Sequence, residues 1–181
     1  MAKKKKYVEI SVKDILGPLP VDNCCVIVAR AGHKMFPITS SYADAQACSE
    51  LLKGESQYGP NSYEMMSSLT KTLNIGVEQV ELKFVDGAFF SKIHFDPKSP
   101  MGETLRIVSP NPMTSINFGL AHKVPIMIEA TPSLLSEKRI PDITSTYSSV
   151  KEEIGDLWPL PKITKTESLR VLSEFIDSVQ A

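Results

Sequence analysis

The sequence has few of the residues on which site chemistry most often rests. There are three histidines and three cysteines in 181 residues. His33, His94 and His122 stand apart, with no HxH or HxxxH pairing, and Cys24, Cys25 and Cys48 show no metal-ligand spacing. Adjacent residues on a strand point to opposite faces, so Cys24 and Cys25 cannot share one ion without distortion. All three cysteines read as small buried hydrophobes of a reducing compartment. An excess of charge is missing too. Twenty Lys and Arg against 21 Asp and Glu leave a net charge of -1, which excludes a broadly basic nucleic-acid surface but not a local patch. No apolar run approaches the roughly 20 residues that cross a membrane. The basic start, Lys3 to Lys6, has no apolar stretch behind it of the kind a signal peptide carries. These absences point to a cytoplasmic setting without membrane partners.

What is present is the composition of a folded domain, 42% apolar and 23% charged. Residues 1–6 read as a flexible basic start. From Tyr7 to Leu16 apolar residues alternate at Val8, Ile10 and Val12, the mark of a half-buried strand. Cys24 to Ala31 and Lys34 to Ile38 flank Gly32-His33 and predict a hairpin. A helix follows, with Ser40 and Ser41 offering its cap and Gly54 its stop. A second helix starts near Asn61 and carries Met65, Met66, Leu69 and Leu73 on one face. The pattern then restarts. Val77, Val80, Leu82 and Phe84 mark a strand, Asp86-Gly87 a hairpin turn, Ala88 to Phe95 its return, and Glu103 to Val108 a third strand. Asn111-Pro112 opens a helix with an N-cap and a proline at its first position, and Val124 to Ile128 closes the series as a buried strand.

Both halves thus read as strand, hairpin, strand and helix. The expected fold is α+β, built of duplicated β-β-β-α units with mixed or antiparallel sheets over residues 7–137. A Pro/Ser/Thr-rich linker covers residues 138–165. A C-terminal helix follows over residues 166–181, with Leu169, Leu172, Phe175, Ile176 and Val179 on one stripe. A stripe of that size calls for burial on the domain or on a second copy, so a homodimer is expected.

Three segments carry a family resemblance. They are Phe36-Pro37-Ile38 with the helix bearing Asp44; Pro60 to Met66 with Tyr63 and Glu64, running on to Val80-Glu81-Leu82 and Asp86-Gly87; and Asn111-Pro112-Met113-Thr114 with Val124-Pro125-Ile126. In order and spacing this chain resembles the bifunctional nuclease family over about residues 7–137. The resemblance implies cleavage of phosphodiester bonds in DNA or RNA, nucleic acid as a partner, and a divalent cation, Mg or Mn, held by carboxylates that activate water. Mapped onto this sequence, it implies Asp44 and Glu64 as metal ligands or general base, Tyr63 as a catalytic neighbour, and Asn111, Thr114 and His94 as residues of the cleft.

The departures from the family all fall on polar positions. Asp44 stands where the family has glutamate, Tyr63-Glu64 where it has His-Asp, and Asn111, Met113 and Thr114 where it has arginine, serine and aspartate. Both surviving acids also suit helix capping, since Asp44 follows Ser41 by three residues and Glu64 follows Asn61 by three. Two readings follow. One is a metal-dependent nuclease. The other is a catalytically degenerate relative that serves as a small-ligand-binding or protein-interaction module.

Overall fold

The computed structural model describes residues 7–18, 24–55, 59–85, 88–100 and 107–129, with Ser148 and Glu152 as isolated positions. The expected flexible start, most of the linker and the C-terminal helix lie outside the described residues. Seven strands form one mixed sheet in the order β3-β2-β1-β7-β4-β5-β6. They are β1 (Tyr7–Leu16), β2 (Cys24–Ala31), β3 (Lys34–Ser41), β4 (Val77–Val85), β5 (Ala88–Phe95), β6 (Ile107–Ser109) and β7 (Ile126–Glu129). Three helices complete the fold: α1 (Tyr42–Lys53), α2 (Ser62–Thr72) and α3 (Pro112–His122). The class is α+β, as expected.

The strand order reads the same way outward from β7 in both directions. β1-β2-β3 leads into α1, and β4-β5-β6 leads into α3. Each meander is antiparallel, whereas β7 runs antiparallel to β1 and parallel to β4. A parallel pairing needs a long crossover, and β5, β6 and α3 supply it between β4 and β7. The repeated unit read from the sequence is therefore present in the topology. α2 is inserted between the two units.

Two bulges account for irregular spacing in the sequence. In β1 the core-facing residues are Ile10 and then Ile15, a change of parity, and the register shifts between Val12 and Asp14. In β4 the sequence Val77, Val80, Leu82 has the same defect, and the register shifts between Val77 and Gln79. One extra residue restores the apolar face to the core side. The turn between β2 and β3 leaves Ala31 paired with Lys34, with Gly32 at φ 61°, a conformation that costs glycine little.

The core lies between the sheet and the helices. Ile27, Ile38, Val80, Leu82 and Ile128 come from the strands, Ala45 and Cys48 from α1, and Met113 and Ile116 from α3, all at most 2% exposed. α3 is buried nearly all round, including Ser115, Asn117 and Gly119. Gly119 allows the close approach, because a Cβ there would meet Val80 Cγ2 at 2.9 Å and Ile126 Cγ1 at 3.3 Å. α2 differs. Its buried residues are Tyr63 and Ser67, and it is pinned to α3 by Ser67 Oγ donating to the Ala121 carbonyl at 3.1 Å. Thr70 Oγ1 also meets His122 Nε2 at 2.7 Å.

His122 ends α3 as a neutral imidazole rather than a cation. Its Nδ1 lies 2.9 Å from the Phe118 carbonyl, which can only accept, so the proton sits on Nδ1 and Nε2 faces the Thr70 hydroxyl. Burial pushes its pKa down and favours this neutral form.

The close seat of α3 yields a direct check. Gly119→Ala gains about 1 kcal/mol of helix propensity but overpacks against β-branched Val80, at a cost of about 1–3 kcal/mol. The variant should unfold at lower urea concentration than wild type. Equal or greater stability would mean that α3 has room to move off the sheet.

Candidate functional site

The starts of all three helices converge on Asp44. The Ser41 cap holds the first turn of α1, accepting from the Asp44 amide at 3.1 Å and donating its hydroxyl to Asp44 Oδ2 at 2.9 Å. Tyr63, in the first turn of α2, donates its phenol to Asp44 Oδ1 at 2.9 Å. Asn111, the N-cap of α3, sends Nδ2 to Asp44 Oδ2 at 3.3 Å. Asn117, one turn into α3 and fully buried, sends Nδ2 to the Asp44 carbonyl at 2.9 Å. The side chains of Thr114 and Asn117 lie beside the Tyr63 phenol. Burial, then the bond to Asp44 and its charge, push the Tyr63 pKa up, while Thr114 and Asn117 pull the other way. Asn117 Oδ1 is a buried side-chain acceptor without a hydrogen-bond partner among the described residues.

Four positions singled out in the sequence, Asp44, Tyr63, Asn111 and Thr114, therefore meet in space. Glu64 is engaged elsewhere. Its Oε2 accepts from the Asn61 amide at 2.9 Å, while Asn61 Oδ1 accepts from the Glu64 amide at 3.0 Å, a complete capping box for α2. Beside this cluster, between the starts of α1 and α2, opens a cleft of about 310 Å³ lined by Gln46, Glu50 and Asn61 among others. Glu50 is buried, with Gln46 and Asn61 amides on its two oxygens at 3.2 and 3.4 Å.

The donor set can be compared with what a hard cation requires. Mg is usually held by one or two carboxylates, with waters and substrate phosphates completing its oxygen shell. Around Asp44 the neighbours are hydroxyl and amide groups that donate to it, and the second acid caps its own helix. Among the described residues, no group of three His, Cys, Asp or Glu could hold a metal ion. The described residues around Asp44 do not fit the cation that the resemblance implies.

His94 is placed apart from Asp44. It lies on β5 beside Gln79 of β4, and its Nε2 meets Glu81 Oε2 at 2.8 Å. Glu81 is 5% exposed, and its Oε1 accepts from the Tyr7 phenol at 3.1 Å and the Lys83 ammonium at 3.2 Å. Glu81 and Lys83 alternate with the core residues Val80 and Leu82, so this cluster occupies the face of the sheet opposite the helices. The sequence reading missed it. An acid between two buried apolar residues of a strand reads as an ordinary solvent-facing position, and only the pairing of β1, β4 and β5 gathers its partners. Burial alone would push the Glu81 pKa up, but bonds from His94, Lys83 and Tyr7, with the Lys83 charge, hold it below its ordinary value. Tyr7 is pushed up to about 12 by burial and by Glu81.

A pH dependence follows. Because the folded Glu81 titrates below its ordinary 4.5, its contribution to stability is present above that value and is lost as pH falls through the folded pKa. The stability difference between wild type and Glu81→Gln, from urea unfolding, should be full at about pH 6 and shrink steadily as the pH is lowered below the ordinary glutamate pKa of 4.5. A difference that widens on acidification would contradict the pairing.

The comparisons with known proteins fit this geometry in part. No curated protein matches the sequence. The sequence model of the bifunctional nuclease domain matches residues 25–142, from the start of β2 past the end of β7. That span includes every residue of the Asp44 cluster. The chain belongs to the bifunctional nuclease domain family.

Proposed function

We propose that this chain keeps the nuclease-family fold as a binding and interaction module and does not carry out metal-dependent phosphodiester cleavage. The observation that carries this reading is the shell around Asp44. The positions that correspond to the family's polar residues converge, yet they supply one carboxylate among Tyr63, Asn111, Asn117, Thr114 and Ser41, all of which are neutral. Hydrolysis through a hard cation needs converging negative charge to hold the ion, and here the second acid, Glu64, is spent on the Asn61 amide. Such a cluster holds helices together, and the adjoining cleft offers Gln46, Glu50 and Asn61 to a ligand.

The family supplies nucleic acid as one class of partner, and a second copy of the chain is another. With a net charge of -1, nucleic acid would have to engage a local surface rather than a general basic field. A cytoplasmic setting belongs to the same proposal. Among the described residues no helix is long and apolar enough to cross a membrane.

A second reading, the metal-dependent nuclease, is favoured by the convergence of Asp44, Tyr63, Asn111 and Thr114 at one place. Incubation of the full chain with single- and double-stranded DNA and with RNA separates the two, in Mg or Mn and again in excess chelator. The expected result is no chelator-sensitive cleavage beyond that of an Asp44→Ala variant. Cleavage that the chelator stops and that Asp44→Ala abolishes would establish the nuclease reading instead.

A further inference from the structure

The cleft beside Asp44 is built on one face of α1. Ala43, Gln46, Ala47 and Glu50 recur along it at helical spacing, and Pro60 and Asn61 line it from the entry to α2. Glu50 sets its chemistry. It is 8% exposed and is the one charged side chain among the described residues of the lining. A carboxylate held that far from water is costly unless another charge balances it.

Among the described residues, no ion pair includes Glu50. In the sequence, Glu55 and Gly59 are separated by Ser56, Gln57 and Tyr58, which bring no cation. Two neutral amides attend the carboxylate instead. Gln46 Nε2 donates to Oε1 at 3.2 Å and Asn61 Nδ2 to Oε2 at 3.4 Å. Both are longer than the roughly 2.7–2.9 Å at which a cationic donor sits on a carboxylate. Water can fill the remaining lone pairs, but it cannot balance the charge.

The placement of the two amides also selects the shape of the missing partner. Each oxygen carries one amide and each keeps acceptor capacity, so the pair of oxygens stays open to a two-pronged donor. A guanidinium presents two parallel N–H groups in one plane and engages both oxygens at once, whereas an ammonium is a point charge. Gln46 Oε1 is a further acceptor for the same group. Ala43, Ala47 and Pro60 give its aliphatic stem an apolar wall. A volume of about 310 Å³ is at the lower end of small-molecule sites and suits a ligand the size of one long side chain.

We propose that this cleft binds a guanidinium group, with Glu50 as its bidentate counter-ion. The proposal rests on the binding-module reading and names what the module takes. A free alkylguanidine and an arginine side chain of a partner carry the same chemistry, and the test includes both.

The isotope-labelled full chain is titrated with butylguanidinium in chelator, without nucleic acid, and followed by nuclear magnetic resonance. The side-chain amide signals of Gln46 and Asn61 should shift saturably. Butylammonium, of equal charge and chain length, should bind at least about tenfold more weakly, the scale of one lost charge-assisted bond. Glu50→Gln should weaken butylguanidinium by at least about tenfold. Ala43→Leu narrows the cleft from its exposed wall with Glu50 intact, and should weaken binding too, so the proposal stays testable if Glu50→Gln does not fold. N-acetyl-arginine-methylamide is the second arm. Tighter binding than butylguanidinium assigns the ligand to an arginine of a partner, and the reverse order to a free guanidino compound; either order supports the site. Three outcomes would overturn the proposal: no saturable shift, equal affinity for butylammonium, or unchanged affinity in either variant that folds. None of them bears on cleavage, because the titration holds neither metal nor nucleic acid. Chelator-sensitive nuclease activity would instead overturn the binding-module reading.

Discussion

The helix layer depends on one acceptor-rich residue. Asp44 receives hydroxyl hydrogens from α1's cap and from α2, and amide hydrogens from two positions of α3. Buried donors without partners are costly, about 1–3 kcal/mol each. The relative placement of three helix starts is therefore fixed by which groups can reach this one carboxylate and its carbonyl. α1 and α3 each have a sheet surface of their own. α2 has none of comparable extent, and is positioned by Tyr63 at its first turn and by Ser67 and Thr70 on the Ala121 carbonyl and His122.

That arrangement explains two features of the helix layer. In the proposed reading, asparagine, tyrosine and threonine at these converging positions make the site a hydrogen-bonded joint. Because α2 is held at one end and along a narrow, small-residue edge, its broad apolar side is left outward. A helix attached by Ser67 rather than by its leucines and methionines leaves those larger residues exposed. The polar joint and the apolar stripe are thus two consequences of how one helix is mounted.

Much of this was legible in the residues. Alternation at Val8, Ile10 and Val12, the Gly32 turn, the Asn111-Pro112 helix start and the Ser41 and Asn61 caps each specify local geometry, and the structure places elements at those positions. Phase errors such as Val12 to Ile15 are readable as bulges only once the partner strand is known. The orientation of α2 was not legible, because periodicity identifies an apolar face but not what covers it. Nor was the Glu81 cluster, whose members come from β1, β4 and β5 and share no local pattern. The spacing of Ser41 to Asp44 and Asn61 to Glu64 predicted capping geometry, and both caps are present. What spacing could not tell is that Asp44 would additionally gather Tyr63 and Asn111, whereas Glu64 would serve its own helix alone.

The claim that Asp44 is a joint rather than a metal ligand is tested most directly by the stability of Asp44→Asn in chelator, measured by urea unfolding against wild type. Carboxylates gathered to hold a cation repel one another when the cation is withheld, so neutralising one of them stabilises the fold. A carboxylate surrounded by donors does the opposite, and here the new amide would face the donors of Ser41 and Asn111. The account predicts that Asp44→Asn is less stable by about 1–2 kcal/mol, the scale of hydrogen bonds to a partly exposed charged acceptor. A variant more stable than wild type in chelator would contradict it.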